Sequence, residues 1–413
     1  MIDKRQTLWT RNFKLAISGM VISALAGVGL NIALSVVVFE ETQSTLLNSI
    51  YLAASFLPSF VLPLVIGPYI DRHNPLKILV RNEIILALLF FIAGVVLNFT
   101  EFSYWPFLFV SLFISCLGVV SSLASQSLIP QLMDKKFYSK GNAIISTIYP
   151  LSNVLVVPIM MILLNKVGLA NVLILYSFAC LIDAFIESRI DEPFEYLNTS
   201  EALSLKTYFN DLQDGLHSLK KDTGLVSVLI FFSIVMFTNG TSSLVYPYFN
   251  QSSVLTDQNY AMLLSFQSAG YMFGGFFHYL VTIPDKKRYL VAVIVYFVFS
   301  ILDGLFFFYP MLVMFGVKFI LGFAGMNSAN IRTSAVQHRL DNQNRAKINA
   351  MFGVSFTLFE VCGQLVAGAL GEFFPIKWIH LAFNVIYFIV ILVIVLPPKN
   401  KIKEMYNYDS SSL

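Results

Sequence analysis

Residues 15–39 run without a single charged side chain. A helix needs about 20 apolar residues to cross the hydrocarbon core of a bilayer, so this one run already points to a membrane. It is too long for a signal-peptide core, and no small-residue cleavage site ends it, so it reads as a retained first span behind Lys4, Arg5, Arg11 and Lys14. Runs of the same kind recur along the chain. Twelve can be laid out, at 13–38, 46–70, 77–98, 104–129, 142–165, 169–187, 224–248, 258–281, 289–308, 310–333, 346–371 and 375–397. Lipid cannot satisfy free backbone groups, and the runs are too long and too continuously apolar for barrel strands. The predicted fold class is therefore an all-α membrane protein of twelve transmembrane helices.

Charge placement sets the expected orientation. Only 12% of residues are charged and 57% are hydrophobic, against about 25% charged in a soluble domain. If the N-terminus is cytoplasmic, the inside segments hold 24 of the 27 basic residues. Lys166 and Lys377 fall outside and Lys318 falls within a span. The positive-inside rule is met at every inside segment, which places both termini in the cytoplasm. Cys116, Cys180 and Cys362 lie far apart in apolar runs and read as core residues, with neither disulfide nor zinc spacing.

The longest polar stretch, 188–223, divides the chain into halves of similar length. Phe209, Leu212, Leu216 and Leu219 recur there at helical spacing among charges, which predicts a short amphipathic helix on the cytoplasmic face. The expected organisation is an N-terminal six-helix bundle at 1–190, a cytoplasmic linker at 191–222, and a C-terminal six-helix bundle with a short tail at 223–413. Asp134, Lys140, Asn142 and Ala143 recur, 207 residues on, as Asp341, Lys347, Asn349 and Ala350. Gly118 with Gly325, and Leu151 with Leu358, keep the same offset. The echo predicts duplication and two pseudo-symmetric bundles, with a substrate site at midplane where such repeats meet.

After the second expected span the sequence reads Gly67, Pro68, Tyr69, Ile70, Asp71, Arg72, His73, Asn74, Pro75, Leu76, Lys77. Gly67, Asp71, Arg72 and Lys77 resemble the loop motif of the major facilitator superfamily. Pro75 and Leu76 depart from it. Glu40, Glu41 and Thr42 after the first span, Ile129 and Pro130, and Gly141, Asn142 and Ala143 before the fifth, look like the macrolide-efflux and enterobactin-exporter branch. Ile114 stands where drug antiporters of the family often carry an arginine, and of their fifth-span glycine-rich bend only Pro158 is kept. The resemblance implies the major facilitator fold and gating at Gly67, Asp71, Arg72 and Lys77. In the second half, Gly274 and His278 occupy the equivalents of Gly67 and Asp71.

Ionisable groups inside spans are costly and are candidate functional residues. Glu360, near the middle of the eleventh span, can bind a proton or a cationic substrate, or can be a carboxyl bonded to a neighbouring helix. Asn31 and Asn239, in spans one and seven, can hydrogen-bond a substrate or hold helices together. Asp303 and Lys318 lie six and eight residues from the turn at Tyr309 and Pro310, at similar depths of ~9–12 Å, and can form an ion pair. Asp183 and Glu187 approach the cytoplasmic end of span six and are expected to meet loop cations, and Glu83 sits beside Arg81.

No phosphate-binding loop, metal constellation or activated nucleophile is found, so neither an enzyme nor a bound cofactor is expected. The expected function is secondary transport, as proton-driven efflux of a hydrophobic or amphipathic small molecule resembling a macrolide or a siderophore. A nutrient importer or facilitator, and a non-transporting sensor or scaffold, are the alternatives. The expected partners are a small-molecule substrate and membrane lipid, without nucleic acid, for a monomer in a bacterial cytoplasmic membrane.

Overall fold

The computed structural model describes residues 7–191, 219–220, 222–252, 255–281, 283–340, 345–397 and 401–408. Among these residues the secondary structure is helical, with no strand. The amphipathic segment predicted within 191–222 lies almost entirely outside the described residues.

The helices begin and end where the sequence supplies caps and breakers. Helix α1 (Arg11–Thr42) is followed by α2 (Thr45–Phe56) and α3 (Pro58–Asp71). The second expected span is thus divided between Leu57 and Pro58, because proline lacks the N–H that would continue the ladder and sits most comfortably in a first helical turn. Asn74 caps α4 (Pro75–Phe99) by accepting from the Lys77 backbone N–H at 3.0 Å, and Pro75 fills the first turn. The proline that departs from the family motif is therefore a helix-start residue. Helix α5 (Tyr104–Leu128) leads through two short 3₁₀ turns into α6 (Tyr138–Glu187). That 50-residue element joins two expected spans and breaks at Gly168, where φ is 76° and ψ is 165°. This backbone conformation is nearly exclusive to glycine.

In the second half, Asp222 caps α7 (Thr223–Asn239), accepting from Gly224 and Leu225 at 2.8 and 3.2 Å. The helix tightens at Gly240–Leu244 and resumes as α8 (Val245–Asn250). Thr256 caps α9 (Asp257–Leu280). Then come α10 (Arg288–Gly304), α11 (Met311–Arg339), α12 (Arg345–Gly371), α13 (Ile376–Val390) with a π-helical turn at Ile391–Val395, and the short α14 (Ile402–Tyr406).

Eight helices among the described residues are long and apolar enough to cross a membrane, and the continuous stretch Lys140–Glu187 contains two of the expected spans. Three expected spans fall short of that measure. In the span at 46–70 the described apolar helix covers Thr45–Phe60. Helix α9 is diluted by Gln258, Asn259, Gln267 and His278. Helix α10 is 17 residues long and ends at Gly304.

The chain forms two compact units. One comprises Met1–Thr42 and Ala54–Leu205, the other Gln43–Ala53 and Lys206–Leu413. In the first, α1 and α4 both pack along α6, and α5 packs on α3 and α4. Ala16, Ile70, Leu76, Leu79, Ala124 and Leu128 form one of its cores. In the second, α9 packs on α11, α7 on α12 and α10 on α13. Lipid is as apolar as leucine, so close helix contact in a membrane depends on small residues that let backbones approach. Gly270 and Gly274 of α9 and Gly322 of α11 do this, since a Cβ on any of them would strike the partner helix's backbone. Gly240 and Gly363 do the same where α12 crosses the end of α7. Outward faces carry exposed Phe109, Phe113, Phe185, Phe276 and Phe373, as lipid solvation requires.

The second unit also takes in the start of α2. Glu372, just beyond α12, accepts from the Leu46 backbone N–H at 2.8 Å and from the Ser44 hydroxyl at 2.7 Å. A carboxylate at a helix N-terminus meets unsatisfied N–H groups and the positive end of the helix dipole. Burial raises the Glu372 pKa, but these donors outweigh it and hold the carboxyl below its ordinary value. Thr45 donates to the Gly368 carbonyl at 2.8 Å, and Ser49 to the Ser243 hydroxyl at 3.1 Å.

Candidate functional site

A cavity of about 310 Å³ lies inside the second unit, lined by α7, α9, α10, α11 and α13. Its floor is an ionic cluster. Lys318 Nζ is 2.9 Å from Asp303 Oδ1, and His380 Nε2 is 3.3 Å from Asp303 Oδ2 and 2.7 Å from the Asp303 carbonyl oxygen. His380 Nδ1 is 2.9 Å from Thr241 Oγ1. Lys318 and His380 are buried. A single carboxylate therefore serves both Lys318 and His380 in a water-poor interior, where an ammonium or a carboxylate left unpaired would be strongly penalised. The Lys318 ammonium also sits 4.6 Å from the centre of the Phe306 ring.

The opposite wall carries Arg332, whose guanidinium lies 4.1 Å from the Phe232 ring centre and 5.6 Å from that of Phe356. Helix α11 extends to Arg339, and Arg332, at the end of the expected span 310–333, lines the cavity. Asn239 and Gln267 add neutral polar groups, and Tyr271 and Phe299 add aromatic surface. Asn239 Nδ2 donates to Glu360 Oε1 at 3.2 Å, which joins two of the sequence candidates and connects Glu360 to the cavity wall.

The remaining candidates lie elsewhere. Asn31 is an exposed residue of α1 in the first unit. Gly67 lies in α3, and among the described residues no atom stands within 4 Å of where a Cβ would be. Arg72 caps α3 through its backbone and is exposed, as is Lys77. The Asp71 side chain lies outside the described residues. His278, the counterpart of Asp71, is 3.3 Å from Asn327 Oδ1 through Nδ1.

The expectation that Asp183 and Glu187 meet loop cations is corrected. Both are buried, and among the described residues neither forms an ion pair. Arg11 pairs instead with Asp191 at 2.8 Å, and Arg189 stacks over Phe185 at 4.6 Å. Arg81 is exposed while Glu83 is turned inward, accepting from Ser121 Oγ at 2.9 Å. The helix face, more than proximity in sequence, decides these partners.

Residues 16–340 match the model of the Major Facilitator Superfamily. The chain belongs to this superfamily. Over 412 residues it is 22% identical to macrolide efflux protein A of Streptococcus pyogenes, covering 96% of this chain and 98% of that protein. Its fold is similar to a bacterial homologue of the human lysosomal transporter Spinster in an inward-facing, unoccupied conformation (TM-score 0.69, 13% identity, covering 97% of this chain and 99% of that one). It is also similar to the nucleoside transporter NupG (TM-score 0.68, 15% identity, covering 97% and 100%). This major facilitator chain is thus a multi-pass membrane transporter and not an enzyme.

Sequence reasoning selected Asp303 and Lys318 but passed over His380, which completes their cluster. The signal was present. His380 stands five residues after Pro375 in an apolar span, at a depth comparable to that of the other two, and an intramembrane histidine meets the criterion that singled them out.

Proposed function

We propose that this chain is a secondary active transporter that exports a hydrophobic or amphipathic small molecule, by alternating access and at the expense of a proton gradient. Twelve spans in two six-helix bundles carry the movement, in a bacterial cytoplasmic membrane with both termini inside. The observation that carries the reading is the cavity of the second unit. Its aromatic walls suit an apolar body, and Asp303, Lys318, His380 and Arg332 at its edges suit a polar or charged appendage. Such a mixture, apolar surface with a few convergent polar groups, is the usual composition of a small-molecule site. The likeness to a macrolide efflux protein supports export and an amphipathic substrate.

In this reading Glu360, held by Asn239, carries the exchangeable proton beside the cavity, and Asn31 offers a further substrate hydrogen bond. Gly67, Asp71, Arg72 and Lys77 form the cytoplasmic gate. No cofactor is required, and a monomer suffices. A second reading, uptake of a nutrient, draws on the fold likeness to a nucleoside transporter. Direction of flux separates the two. Cells overexpressing the protein are expected to accumulate less labelled macrolide than cells lacking it, and the protonophore-treated pair should accumulate equally. Greater accumulation in the overexpressing cells would favour uptake. Equal accumulation of every compound in a broad panel would favour a non-transporting sensor.

A further inference from the structure

The first unit contains a second ionisable cluster that the cavity reading does not use. Glu83 of α4 and Asp183 and Glu187 of α6 are all buried, with relative exposures of 5%, 2% and 5%. Asp183 and Glu187 stand one turn apart and share a helix face. A methyl group on Gly19 of α1 would meet both Asp183 Oδ1 and Glu187 Oε1, so the two carboxyl groups converge on one bare patch of α1. Glu83 lies within electrostatic range of Asp183, and Glu187 of both.

The partners around them are hydroxyls and neutral groups. Ser23 of α1 donates to Asp183 Oδ2 and Ser121 of α5 to Glu83. Asn82 of α4 donates to Ser121 Oγ at 2.6 Å. The titratable neighbours on α6 are Cys180 and Tyr176. The basic residues of the packed elements face elsewhere. Arg11 and Lys14 of α1, Arg81 of α4 and Arg189 after α6 are exposed. Asp183 Oδ1 and Glu187 Oε2 are buried with no hydrogen-bond partner. Two fully charged carboxylates with orphaned oxygens beside a third carboxyl are not sustainable in a low-dielectric interior without a bound positive charge. Among the described residues no group of His, Cys, Asp and Glu has the arrangement to hold a metal ion.

We propose that Glu83, Asp183 and Glu187 form a proton-binding site in the first unit, holding at least one proton at neutral pH. The protons on the three groups belong to the cluster as a whole, as for any closely coupled carboxyl set. The site is separate from Glu360. Binding of the proton does not depend on the transport reading. Its use as a coupling step does.

Infrared difference spectroscopy of the purified protein in liposomes tests this. In a Glu360→Gln background, the protonated-carboxyl band present at pH 7 is expected to fall by at least half on Asp183→Asn with Glu187→Gln. Each isosteric neutralisation should leave the thermal unfolding midpoint unchanged or raised, because the amide mimics the protonated acid. The absence of a protonated-carboxyl band at pH 7 would overturn the proposal. So would a band indifferent to the substitutions, or carboxylate bands that respond to sodium and not to pH. Because the spectrum needs no substrate, its failure with transport intact refutes this site alone. An intact band in a protein that moves no compound refutes the transport reading alone.

Discussion

Asp303 faces two basic side chains, and its removal leaves both without an anion. Asp303→Asn is expected to destabilise the protein by about 3 kcal/mol, the scale of breaking a buried ion pair from one side. Removing Lys318 as well, in Asp303→Asn with Lys318→Met, should recover part of the loss, since the two changes share a partner. Thermal unfolding of the purified variants in detergent measures both. The pair is legible in the sequence because each residue interrupts an apolar run at a countable depth. Side-chain direction is less legible. Asp183 and Glu187 sit near cations in sequence, yet the helix turns them inward onto Gly19 while Arg189 turns out onto Phe185. Nothing in the apolar period of so hydrophobic a helix marks which face is buried, since lipid and protein neighbours accept the same residues.

At the scale of elements, glycine and proline carry most of the local decisions. Gly168 separates two helices with a backbone conformation that other residues avoid, and among the described residues no atom lies within 4 Å of where its Cβ would be. Gly168→Ala should therefore cost about 1–3 kcal/mol through backbone strain alone, read as a lowered unfolding midpoint. Gly322→Ala acts through a different cause. Its Cβ would press on the Gln267 carbonyl and on Tyr271, so α9 and α11 must separate. Since Tyr271 and Gln267 line the cavity, a loss of substrate affinity should accompany the loss of stability, whereas Gly168→Ala should leave affinity unchanged. Direct binding measurements on the two variants check this contrast. The helix positions were readable from apolar run length, and Asn74 with Pro75 and Asp222 mark starts in plain sequence. The expected spans 142–165 and 169–187 leave the junction at Gly168 between them, whereas the break at Pro58 is not legible in run length, because hydropathy counts residues and does not register a missing N–H.

At the scale of the molecule, the second unit includes a piece of the first half of the chain, tied by Glu372 to the start of α2. Because the Glu372 carboxyl is held below its ordinary value of 4.5, its contribution is complete above that value and disappears as pH falls through it and below. The gap in unfolding midpoint between the native protein and Glu372→Gln should be present at neutral pH and close on acidification below pH 4.5. In the proposed function the molecule couples a proton gradient to export. Everted membrane vesicles test it most directly, since export then becomes uptake into the vesicle. With an acid interior, labelled macrolide should accumulate in vesicles carrying the protein, collapse on addition of a protonophore, and fail to accumulate with Glu360→Gln. Accumulation that is unaffected by the protonophore, or no accumulation beyond vesicles lacking the protein, would contradict the account.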